Sequence, residues 1–126
     1  IANTGAFLVL GGLIALTVRR FVMVTLVVTV LGGLGTWVLG SPMTVHVGAS
    51  GLVYGYAAFL VTWGLLVRRP LALAVSVVVV VAYGGIVGGV LPGNPGISWE
   101  GHLCGALAGI VAAVVAARSV RGEALR

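Results

Sequence analysis

Arginines cut this chain into apolar intervals, and the size of those intervals constrains the fold more than anything else. Arg19 and Arg20, Arg68 and Arg69, and then Arg118, Arg121 and Arg126 are the only cations. A helix needs about 20 apolar residues to cross a hydrocarbon layer of about 30 Å. The intervals fit that length, and the expected spans are 1–18, 21–40, 48–67, 71–91 and 101–117. Only 7% of the 126 residues are charged, whereas about a quarter is usual for a soluble domain. An ordinary cytosolic domain, a disordered tail and a disulfide scaffold are therefore excluded; the single cysteine cannot form an internal bridge.

The valine run at 77–81 would suit a strand in water. In lipid a helix satisfies its own backbone, so helix is expected there too. The alternation required by a membrane barrel is missing. The fold class is thus all-α: a polytopic bundle of five transmembrane helices forming one domain over 1–126. With an odd number of spans, every arginine falls on one side, which makes that side cytoplasmic, with the C-terminus inside. The net charge of +5 is punctuation between apolar runs rather than a stripe on one face, so no nucleic acid partner is expected. Glycine pairs at 11–12, 32–33, 84–85 and 88–89 point to closely packed helices. Trp37, Trp63 and Trp99 sit near span ends as interfacial anchors. Cys104 reads as core, while His46 and Glu100 read as loop and solvated residues.

Polar residues within a membrane are functional suspects. Measured from the arginines at about 1.5 Å per residue, Asn3 and His102 lie about 24 Å and Ser50 about 27 Å along their helices. Three side chains on three helices so reach one level, a little below the outer surface. Ser50 stands in Gly48-Ala49-Ser50-Gly51, at the start of the third span. Free amides at a helix N-terminus stabilise negative charge, and the Ser50 N–H can face a tetrahedral oxyanion. His102, if the third and fifth spans touch, can accept the Ser50 proton and return it to a leaving amine. Gly51 and Gly55 on one span, with Gly105 and Gly109 on the other, would permit that contact. Tyr54 lies one turn below Ser50 on the same face, where it could pack beneath the imidazole. Glu100 is two residues from His102 and faces away, so a dyad without a carboxylate is favoured.

These residues resemble the rhomboid family of intramembrane serine proteases. The resemblance rests on Gly48-Ala49-Ser50-Gly51 with Tyr54, and on His102, Gly105 and Gly109 in a His-x-x-Gly-x-x-x-Gly pattern. Asn3 falls 47 residues before Ser50, where the Asn of the family's His-x-x-x-Asn motif would stand. The likeness runs from the second core helix to the sixth; the motif's His, the first core helix and its long following loop would precede Ile1, so an N-terminally truncated domain is expected. The resemblance implies a nucleophile at Ser50, a general base and acid at His102, and an oxyanion contact from Asn3 beside the Ser50 amide. It implies no metal or cofactor. The partner would be a transmembrane segment of another protein, cut near the outer face, in a bilayer expected to be a bacterial cell membrane. Two alternatives stay open: an inactive relative that binds membrane helices, and an unrelated transporter subunit. The second ranks last because it calls for polar residues near the midplane, where the second and fourth spans carry little beyond Thr25, Thr29 and Ser76.

Overall fold

The computed structural model describes residues 2–42 and 49–126, and the described residues are helical without strands. Helix α1 (Ala2–Leu13) ends in one π-helical turn (Ile14–Val18). Helix α2 spans Phe21–Leu39 and α3 spans Ser50–Val67. Helix α4 (Pro70–Tyr83) tightens into a 3₁₀ segment (Gly84–Val90), and α5 spans Trp99–Ala124. Among the described residues four helices are long and apolar enough to cross a membrane, and α1 with its π turn adds a shorter apolar one. The valines at 77–81 are helical, as self-contained backbone hydrogen bonding requires in lipid.

The two tight turns share one design. Arg19 and Arg68 each adopt left-handed backbone, with φ of 58° and 56°, a conformation usually left to glycine. Their amides cap the preceding helices, on Ile14 O at 3.0 Å and Gly64 O at 2.9 Å. A cation at that position also faces the negative end of the helix dipole, which offsets part of the strain. Pro70 follows at the first position of α4, where its missing N–H costs nothing.

The arginines do meet at one end of the bundle. Arg20 Nη2 lies 3.4 Å from Glu123 Oε1, and Arg121 donates to Leu66 O at 3.4 Å. Exposed contacts of this kind contribute little energy, but they show which ends are together. The last helix runs beyond the apolar interval that ends at 117 and continues to Ala124, helped by Ala, Arg and Glu, which are good helix formers.

Helix α3 is the centre and contacts the other four. Tyr56 is fully buried, with its ring against Phe7 and Phe21 and its hydroxyl 2.7 Å from Thr25 Oγ1. Trp63 is not an interfacial anchor: it is 8% exposed and stacks on Phe59 at 6.0 Å, because its face of α3 points into the bundle. Trp37, by contrast, is exposed.

The closest approach is between α3 and α5. A β-carbon at Gly105 would overlap the Gly51 carbonyl oxygen, and one at Gly109 would overlap that of Gly55. Small residues let backbones meet where lipid supplies no hydrophobic drive between helices. Of the glycine pairs noted in the sequence, Gly11 and Gly32 pack against neighbours, while Gly84, Gly85 and Gly88 face open space.

Helix α4 is fastened in the half nearer Arg69. Ser76 is 5% exposed, and its hydroxyl lies 3.0 Å from Leu60 O, 3.3 Å from Val61 O and 3.0 Å from Ala72 O. Gly64 makes room for it on α3. Ser76→Ala is expected to lower stability by about 1 kcal/mol, the scale of interhelical hydrogen bonds in membranes. Thermal unfolding in detergent checks this; an unchanged midpoint would show that the hydroxyl bonds only within its own helix.

Candidate active site

Ser50 is the first residue of α3. The amides of a first helical turn have no partner inside the helix, so the Ser50 backbone offers a donor beside its own hydroxyl. The side chain is half-buried and borders a cavity of about 420 Å³ between α2, α3 and α5. Thr29 and Thr36 from α2, and Ser98 and Gly101 at the start of α5, line the same space.

His102 lies in the first turn of α5. Ser98 caps that helix by accepting from the Gly101 amide at 3.2 Å, and the cap sets where the imidazole leaves the backbone. The ring stacks on Tyr54, with centroids 4.1 Å apart and planes within 9°. The Tyr54 hydroxyl donates to Ile86 O at 2.7 Å. His102 Nδ1 is 3.0 Å from Gly89 O. A carbonyl can only accept, so Nδ1 must carry the proton. In the neutral ring, Nε2 is then left with its lone pair.

Ser50 and Tyr54 are one turn apart on one face of α3, and the imidazole lies on Tyr54. Next to the pair, a β-carbon on Gly51 would sit 3.3 Å from Gly101 O, so the two backbones are in contact beside the site. Among the described residues no hydrogen bond joins the Ser50 hydroxyl to the ring. Catalytic hydrogen bonds are commonly long without substrate.

The other expected residues divide. Gly51, Tyr54, Gly105 and Gly109 form the seam that carries the pair. Asn3 is exposed near the start of α1 and is not in the lining of the Ser50 cavity. It lies one turn from Phe7, whose ring meets Tyr56 at 5.5 Å, so Asn3 is near the depth of Ser50 but at the bundle surface. Gly48 and His46 lie outside the described residues. Glu100 is half-buried in the first turn of α5, where its charge suits the helix dipole. Cys104 is buried against Gly35. Among the described residues no cluster of three His, Cys, Asp or Glu side chains is present.

Sequence reasoning missed the carbonyls of Ile86 and Gly89, because backbone acceptors carry no residue signature. The nearest signal was the doubled glycines at 84–85 and 88–89.

The Rhomboid domain family model matches residues 1–119. An uncharacterized protein of Mycobacterium tuberculosis is 48% identical over 121 residues, covering 89% of this chain and 50% of that protein. An uncharacterized protein of Mycobacterium leprae is 48% identical over 122 residues, covering 90% of this chain and 48% of that protein. The chain thus spans about half the length of the curated relatives it matches. No solved structure gives a significant match.

Proposed function

Because this chain belongs to the rhomboid family, we propose that it is the core of an intramembrane serine endopeptidase with Ser50 as nucleophile and His102 as general base and acid. The observation that carries this reading is the state of His102. Stacked on Tyr54, one turn from Ser50, and tied through Nδ1, the neutral ring keeps the Nε2 lone pair that a base needs.

In the proposed reaction Nε2 takes the Ser50 proton as Oγ attacks the scissile carbonyl. The oxyanion is met by the Ser50 amide, with Asn3 as the second donor that the family resemblance implies. The tetrahedral species collapses as His102 protonates the departing amine, and water then hydrolyses the ester by the same path in reverse. The substrate is a membrane-spanning helix of another protein, unwound near its outer end. The family and the apolar helices make the chain an integral membrane protein, and the mycobacterial relatives argue for a bacterial cell membrane. The arginine end is cytoplasmic on this reading.

A second reading is an inactive relative that holds membrane helices without cutting them. The missing Ser50–His102 hydrogen bond and the peripheral Asn3 favour it. Labelling with a fluorophosphonate probe separates the two. The protease reading expects a labelled wild type and no labelling of folded Ser50→Ala. Equal labelling of both would remove Ser50 from the chemistry, and a folded but unlabelled wild type would favour the inactive relative.

A further inference from the structure

The two halves of α4 are held differently. Ser76 fastens the half nearer Arg69 to α3 through bonds to Leu60 O and Val61 O. The outer 3₁₀ segment is mostly exposed, and Gly84, Gly85 and Gly88 touch nothing within 4 Å of a built β-carbon. That segment nevertheless reaches the stacked pair twice, through Ile86 O to the Tyr54 hydroxyl and through Gly89 O to His102 Nδ1.

Two features of the sequence and one distance assign Gly89 O to the ring. A 3₁₀ carbonyl normally accepts from the amide three residues on. For Gly88 that donor is Leu91, at 3.3 Å. For Gly89 it would be Pro92, which has no N–H, so the carbonyl is released from its own helix. The residue must also be glycine. A β-carbon there would overlap the Tyr54 hydroxyl and stand 3.1 Å from His102 Nδ1. Finally, the carbonyl lies 3.0 Å from Nδ1, full hydrogen-bond contact.

We propose that the Gly89 carbonyl is a positioning group that stands where a serine protease triad has a carboxylate. It holds the proton on Nδ1 and the lone pair on Nε2, so the outer segment of α4 sets whether His102 can act as a base. This rests on the reading of His102 as the base. An acid is unnecessary because a backbone carbonyl fixes the same tautomer. The imidazolium formed in the reaction is met by a dipole rather than a buried charge, which avoids desolvating a carboxylate inside an apolar bundle.

The test is nitrogen NMR of the full chain labelled with ¹⁵N-histidine in a bilayer mimetic, with His46→Gln to leave one signal. The wild-type neutral ring should carry its proton on Nδ1. Gly89→Ala, which pushes the segment off the pair, should move the proton toward Nε2 and slow probe labelling about 10-fold or more. A wild-type ring protonated on Nε2 overturns the proposal. So does a folded Gly89→Ala variant with unchanged tautomer. Should Gly89→Ala fail to fold, the wild-type tautomer alone decides. If both tautomers are as expected but the probe never labels Ser50, the positioning role stands and the protease reading fails.

Discussion

Replacing His102 by alanine is expected to lower substrate cleavage by roughly 10⁴-fold, the scale of losing both proton transfers in a serine mechanism. Stability should fall far less. The variant gives up one stacked pair, worth about 0.5–1.5 kcal/mol, and one neutral hydrogen bond of about 1 kcal/mol. Tyr54 retains its own bond to Ile86 O. The helix cap at Ser98 is untouched, so α5 should begin at the same residue. Cleavage of a helical substrate in liposomes, read beside a thermal melt, checks both halves. Activity within a few-fold of wild type would mean that another group accepts the Ser50 proton. A melt lost together with activity would assign His102 a structural role instead.

The other large effect concerns the glycine seam. Gly109→Ala is expected to cost about 3 kcal/mol, at the upper end of overpacking penalties. The added carbon would overlap Gly55 O and sit 2.8 Å from Gly55 C and 3.0 Å from Gly55 Cα. Each of those atoms is backbone, so no side chain can swing aside, and the two helices must separate. Separation also draws His102 away from the Ser50 face, so activity should drop with stability. Gly122→Ala is the matched control. It lies on the same helix with nothing within 4 Å, and alanine there should be neutral or stabilising by up to about 1 kcal/mol. Similar melts for the two variants would show that the α3–α5 contact is looser than the backbone distances imply.

Much of the architecture could be read before any coordinates. Arginine spacing located both tight turns, because a cation cannot be left in hydrocarbon and must emerge where the chain reverses. The ruler from those arginines brought Ser50 and His102 to a common depth, and helical spacing put Tyr54 beneath them. The misreadings share a cause. Position along the span assigns Trp63 to the interface, yet its direction around α3 turns it inward. The doubled glycines of the fourth span read as packing, yet three of the four face open space and the fourth, Gly89, presents a carbonyl to a ring.

Amino-acid order by itself determined the number of helices and their ends near the arginines. Each of these follows from one dimension, distance along an axis against the thickness of an apolar layer. Tertiary structure decided what one dimension cannot express: which faces meet, that α3 and α5 touch backbone to backbone, and that a free carbonyl on α4 orients the imidazole. Those outcomes depend on rotation about helix axes and on main-chain acceptors, which every residue possesses and no residue name reveals.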